Sequence, residues 1–145
     1  MRIAVLNGPN LNLLGSREPE LYGRTTLAEI ESAVRQAAAS RGVEIDWFQS
    51  NHEGALIDAV QALPGRVDGA LVNAAALTHT SVGLRDAMLA VRVPFVEIHL
   101  SNIFAREPAR RQSLLADLAI GLVSGFGAQS YLLGLDAIVG ALRDA

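Results

Sequence analysis

Glu97, His99 and Ser101 fall at alternate positions of the run PFVEIHLS, residues 94–101. Alternate residues of an extended strand share a face, so this run projects a carboxylate, an imidazole and a hydroxyl to one side. A lone histidine is as readily held by a backbone carbonyl. A carboxylate close to a sheet interior, however, needs a partner, and Glu97 beside His99 orients the ring and supports it as a general acid. A second group of reactive side chains lies between Asn7 and Gly23 (NGPNLNLLGSREPELYG), which carries Asn10, Arg17, Glu18 and Tyr22. A phenol ionises near pH ~10 in water, so a tyrosine acts as a base at neutral pH only where cations favour the phenolate. Each tenfold gain in ionisation requires ~1.4 kcal/mol. Arg17, with Arg24 or Arg110, supplies that in a closed low-dielectric site and not on an open surface. The bland alternative for this segment is a solvated loop anchored by Tyr22.

Further polar groups sit where strands end. Asn73 closes the run DGALVN, and Thr78-His79-Thr80-Ser81 opens a helix soon after it. A helix N-terminus suits a carboxylate ligand, although ordinary capping accounts for the hydroxyls by themselves. On that helix Asp86 lies two residues past the inward-facing Leu84 and points outward, to solvent or to a neighbouring subunit. Arg110-Arg111 offers a guanidinium fork for an anionic substrate.

Two absences narrow the chemistry. The chain has no cysteine, so thiolate catalysis and disulfides are excluded, and its twelve basic side chains are all arginine, so a lysine Schiff base is excluded. His52, His79 and His99 have no HxxxH or HxH spacing, so a metal site is not expected. A net charge of −3 without a basic run argues against nucleic acid. No apolar stretch approaches the ~20 residues of a membrane span, and MRIAVLNGPN reads as a strand rather than a signal peptide. A soluble, cytoplasmic protein is expected.

The elements that must position these groups follow from periodicity. Strands are expected at Arg2–Asn7, Val43–Gln49, Asp68–Asn73, Pro94–His99 and Ala119–Ser124. Between them, Thr26 and Glu29 have capping-box spacing, and Leu27, Ile30, Val34, Ala37 and Ala38 keep helical period up to Gly42. Further helices are expected from about Asn51 to Leu63, from Thr80 to Val91, and from about Ala128 onward. This alternation predicts one α/β domain over residues 1–145: a flavodoxin-like doubly wound sheet of five parallel strands flanked by helices. In such a sheet ligands bind beyond the carboxyl ends of the strands, where Asn7–Asn10, Asn73 and Glu97–Asn102 converge. A TIM barrel requires about 250 residues and does not fit.

The segments NGPNLNLLGSREPELYG, NAAALTHTSVGLRDA and EIHLSNIFARE resemble the type II 3-dehydroquinate dehydratases, and the likeness runs almost end to end, through Gly125-Phe126-Gly127 and Tyr131-Leu132-Leu133. The resemblance implies a cofactor-free lyase that converts 3-dehydroquinate to 3-dehydroshikimate by anti elimination through an enolate. It implies Tyr22 as the base at C2, Arg17 as the cation that lowers its pKa, and Asn10 as the holder of a water near the enolate oxygen. His99 becomes the acid at the C1 hydroxyl, oriented by Glu97. Asn73, His79, Leu100, Ser101 and Arg110 hold the substrate, and Asp86 reaches a neighbour's site within trimers packed into dodecamers. The unrelated type I enzymes use a Schiff-base lysine, which this chain lacks. Phe104, Ala109–Ser113 (ARRQS) and Ala75-Ala76-Leu77 depart from the commoner forms of the pattern. The competing class is a non-catalytic flavodoxin-like module for a nucleotide or flavin, which would carry a short Gly/Ser/Thr phosphate loop in place of this long Arg- and Tyr-bearing one.

The missing lysine generates a first prediction. Turnover of a ketone substrate survives borohydride and exhaustive chelation, read by intact mass and residual activity. A substrate-sized mass gain with inactivation, or a metal-reversible loss on chelation, contradicts it.

Overall fold

The computed structural model describes residues 1–16, 18, 20 and 23–145. The expectations for Arg17 and Tyr22 therefore lie outside the described residues. Five strands form one parallel sheet: β1 (Arg2–Asn7), β2 (Glu44–Gln49), β3 (Gly69–Asn73), β4 (Phe95–His99) and β5 (Gly121–Ser124), in the order β2-β1-β3-β4-β5. Four α-helices accompany them among the described residues: α1 (Leu27–Ala39), α2 (Glu53–Gln61), α3 (Val82–Val91) and α4 (Gln129–Arg143). This is the flavodoxin-like doubly wound arrangement expected from the sequence.

Period two along β1 divides the core into two layers. Ile3 and Val5 pack with Ile30, Val34 and Ala38 of α1 and with Leu135, Ile138 and Val139 of α4. Ala4 and Leu6 pack on the opposite face with Leu56 and Val60 of α2 and with Leu84, Ala87 and Met88 of α3. The central strands β3 and β4 are buried along their whole length, as parallel strands covered on both faces must be.

Element ends move by a residue or two from the periodicity, for local reasons. The Thr26 cap is present: its Oγ1 accepts from the Glu29 backbone N–H at 3.2 Å. The return arm of the box goes through the hydroxyl, which donates to Glu29 Oε1 at 3.1 Å. His52 is extended at the N-cap position of α2, without a side-chain capping bond, so that helix begins at Glu53. The largest shift follows β3. The chain first makes a 3-10 turn over Ala75–His79, and Ser81 then caps α3, its Oγ accepting from Leu84 N–H at 2.9 Å. The turn is what carries His79 back toward the strand ends.

Strand order reverses between β1 and β3, and there the two strand ends are laced together. Gly8 N–H donates to Asn73 O at 2.8 Å. A Cβ on Gly8 would lie 2.2 Å from the Ala74 carbonyl oxygen, a backbone atom that has no rotamer in which to escape. Gly8→Ala is therefore expected to cost about 3 kcal/mol or more, the upper end of overpacking effects, and to lower Tm by about 6–12 °C. A melt within 2 °C of the parent would contradict this close approach.

Candidate active site

A cleft opens beyond the carboxyl ends of β1, β3 and β4, at the switch point of the sheet. It is partly open to solvent. Asn10 reaches it from the β1 end, Asn73 and His79 from β3 and its 3-10 turn, and His99, Leu100 and Ser101 from β4. Arg110 closes the far wall from the 3-10 turn Pro108–Arg110. Seven of the residues singled out in the sequence thus meet around one space. Glu97 stands behind His99, and Asp86 is exposed on α3, away from the cleft.

Glu97 is fully buried at the end of β4, 0 % exposed. Burying an unpaired carboxylate costs several kcal/mol, and here both oxygens are engaged. Oε1 accepts the Ser113 hydroxyl at 2.8 Å, and Oε2 accepts from His99 Nε2. A carboxylate can only accept, so the His99 proton is fixed on Nε2, and Nδ1 has no hydrogen-bond partner among the described residues. His79 is held in the opposite sense. Its Nδ1 donates to the Gln112 carbonyl at 2.7 Å, and its ring stacks on His99 with centroids 6.4 Å apart.

Among the described residues, two arginines stand on the positive side of the cleft. Arg106 Nη1 donates to Ser101 Oγ at 3.2 Å, and Arg110 Nη1 pairs with Glu107. The Glu107 carboxyl sits below its usual range, first through its backbone hydrogen bond and then through Arg110 and Arg106. The Leu100 and Ser101 peptides are fixed from behind: Gly127 N–H donates to Leu100 O at 2.9 Å, and the Ser124 hydroxyl to Ser101 O at 2.9 Å. Asn10 adopts a left-handed conformation, φ 69°, with its N–H donating to Asn51 Oδ1 at 2.9 Å. Gln49 Nε2 donates to the same Asn51 oxygen at 3.2 Å. The backbone that presents Asn10 is thus pinned from the end of β2.

The helix N-terminus proposed as a carboxylate site resolves as ordinary capping by Ser81. Thr78 is fully buried, and its Oγ1 has no partner among the described residues. Thr80 Oγ1 turns back to the Ala76 carbonyl at 3.4 Å. Of the positions that depart from the commoner pattern, Ala75 and Ala76 line the cleft, whereas Phe104 is 60 % exposed.

The family model described as "Dehydroquinase class II" matches residues 1–139. The chain belongs to the class II dehydroquinases. It is 57% identical over 143 residues to the 3-dehydroquinate dehydratase of Synechococcus sp. (strain WH7803), covering 99% of this chain and 97% of the relative. It is 52% identical over 136 residues to the catabolic 3-dehydroquinase of Penicillium rubens, covering 94% of this chain and 88% of the relative. The crystal structure of type II dehydroquinase from Butyrivibrio crossotus superposes with a TM-score of 0.93 at 36% identity, covering 96% of this chain and 97% of that one.

Three features of this dehydroquinase site escaped the sequence. Arg106 lines the cleft beside Arg110, and its only sequence signal was its position in SNIFARE. Ser113 engages Glu97 from a loop sixteen residues downstream, a contact for which no spacing rule exists. Tyr131, fully buried, donates its hydroxyl proton to Asn7 Oδ1 at 2.7 Å and accepts from Asn73 Nδ2 at 2.9 Å. Burial pushes the Tyr131 phenol well above its ordinary range, with the Asn73 hydrogen bond opposing in part. Tyr131 is therefore structural, and it orients Asn73 toward the cleft while Asn73 Oδ1 accepts from Ala75 N–H at 3.2 Å.

Tyr131→Phe keeps the ring and its volume but strands two buried amide groups. The expected loss of stability is about 2–4 kcal/mol, at ~1–3 kcal/mol for each unsatisfied group, read by urea denaturation. A change under about 0.5 kcal/mol, the scale of an inconsequential surface substitution, would mean that the triad carries no load.

Proposed function

We propose that this chain dehydrates 3-dehydroquinate to 3-dehydroshikimate, as a lyase of the shikimate pathway. The observation that carries the residue-level reading is the buried Glu97–His99 pair at the floor of a cleft that also gathers Asn10, Asn73, His79, Leu100, Ser101 and Arg110. An acid held by a carboxylate, surrounded by amide, hydroxyl and guanidinium groups, suits a small polyhydroxylated carboxylic acid.

In the mechanism proposed, Tyr22 as phenolate removes a proton from C2. The C2–H electron pair becomes the enolate, whose oxygen is stabilised through Asn10 and a water. The enolate then collapses, the C1–O bond breaks, and the departing hydroxyl takes the Nδ1 proton of His99 in its imidazolium form and leaves as water, while the Nε2 proton stays directed at Glu97. Glu97 keeps His99 oriented through the step. Arg110 and the Leu100 and Ser101 amides hold the carboxylate, and Asn73 and His79 hold the ring hydroxyls. Arg17 supplies the cation that favours the Tyr22 phenolate.

Elimination supports the choice of tyrosine. The chain has two, and Tyr131 is buried with its phenol committed to Asn7 and Asn73. Gly23, the residue after Tyr22, lines a depression that shares Leu100, Ser101 and Arg106 with the main cleft.

The exposed Asp86 is assigned to a neighbouring subunit's site, in trimers that pack into a dodecamer. The 145 residues act as one catalytic domain, in the cytoplasm, with no nucleic acid or membrane partner. No helix among the described residues is long and apolar enough to cross a membrane.

The test is appearance of the product's enone absorbance on adding 3-dehydroquinate to the purified protein, and its loss in Tyr22→Phe. Turnover is expected to fall by about 10²–10⁴, the range for a lost general base, with substrate affinity within a few-fold. A variant within tenfold of the parent removes Tyr22 from the mechanism, and no product from the parent removes the activity.

A further inference from the structure

Ser113 has a hydrogen-bond pattern with a single solution. A serine hydroxyl has one proton and two acceptor lone pairs. Ser113 Oγ accepts from the backbone N–H groups of Leu115 and Ala116, each at 3.0 Å, in a turn closed by its own side chain. Both lone pairs are taken, so its proton points at Glu97 Oε1, 2.8 Å away. Two amide donors polarise the hydroxyl and strengthen its donation along the chain. Glu97, enclosed by protein, then has one oxygen committed to Ser113 and the other to His99 Nε2.

We propose that Ser113 is a positioning residue for the dehydration, setting the rotamer of Glu97 and thereby the tautomer and ring orientation of His99. The donors converge on Glu97: the Leu115 and Ala116 amides donate to the Ser113 hydroxyl, that hydroxyl donates to Oε1, and His99 Nε2–H donates to Oε2 from the other side. A carboxylate with one oxygen released is free to rotate, and a rotated Glu97 presents no fixed acceptor to Nε2. The neighbouring residue performs the companion task by other means. The Gln112 carbonyl fixes the proton of His79 on Nδ1, so one dipeptide holds both stacked imidazoles, His79 through its backbone and His99 through its side chain and Glu97. His79 is consequently an internal control: it depends on the path of the loop and not on the Ser113 hydroxyl.

The kinetic part of the proposal rests on the dehydratase reading given above. The spectroscopic part uses the protein without substrate, so the two fail separately. Ring-nitrogen NMR of ¹⁵N-histidine-labelled protein is expected to show His99 protonated on Nε2 and His79 on Nδ1 in the parent. In Ser113→Ala the His99 signature changes to a mixture while that of His79 stays, and kcat falls about 10–100-fold, the usual scale for losing the outer partner of an oriented histidine, with KM within about threefold of the parent. Ser113→Thr, which retains the hydroxyl, returns kcat and the His99 signature to near the parent. Should the alanine variant fail to fold, Ser113→Cys carries the same expectations, because a thiol of similar size is a weak donor. The proposal is overturned by a kcat within twofold of the parent in that variant or by an unchanged His99 signature. It is equally overturned if both histidines change together, or if Ser113→Thr is as impaired as Ser113→Ala, either of which assigns Ser113 a role in loop structure alone.

Discussion

A carboxylate with no access to water governs the arrangement of this molecule's reactive end. Glu97 occupies an inward position on a strand that is buried along its length, where an unpaired charge would cost several kcal/mol. Two donors must be brought to it, and they come from opposite directions: His99 from the same strand and Ser113 from the loop after the Pro108–Arg110 turn. Satisfying that charge ties the loop to the sheet. The same tie places Gln112 against His79 and brings Arg106 and Arg110 to the cleft wall. The geometry of the cleft and the solution to a burial problem are one set of contacts.

A second buried polar knot maintains the opposite side of the cleft. Tyr131 reaches from α4 through the core to bridge Asn7 at the end of β1 and Asn73 at the end of β3. Asn7 is anchored in turn by donating to the Phe48 carbonyl at 3.0 Å, on the neighbouring β2. Three adjacent strand ends are thus registered by side chains as well as by the backbone ladder. Gly8 adds the close backbone contact that lets β1 leave the sheet beside Ala74. Because the connections leaving β1 and β3 run to opposite faces of the sheet where the strand order reverses, the cleft opens between them above these registered strand ends.

These two networks divide the labour of the site. The Tyr131 network has no reactive member: its phenol is pushed away from ionisation by burial, and it serves to aim amides. The Glu97 network contains the titratable groups and ends at the cleft. Opposed fixation of the two histidines, one through Nδ1 and the other through Nε2, gives two imidazoles of different character only 6.4 Å apart. In the proposed dehydration that difference has a use, one ring delivering a proton while the other recognises a hydroxyl.

The amino-acid sequence by itself determined the order of strands and helices, because period two and period 3.6 are local properties of the chain. It also determined that Glu97 and His99 share a face, since they lie two residues apart on one strand, and that no lysine imine takes part. Motif likeness carried the cleft residues Asn10, Asn73, His79, Leu100, Ser101 and Arg110 to their places. Strand and helix ends were legible only to within a residue or two, because N-cap residues such as Ser81 and His52 compete with several neighbours of similar propensity. The 3-10 turn at Ala75–His79 gave no periodic signal at all, being too short for one. Only the tertiary structure decided that Tyr131 is a strut, that Arg106 stands in the cleft, and that Ser113 completes the hydrogen bonding of Glu97. Each of these joins residues distant along the chain, and such a pairing depends on how the sheet stacks its strand ends, which no local pattern of residues encodes.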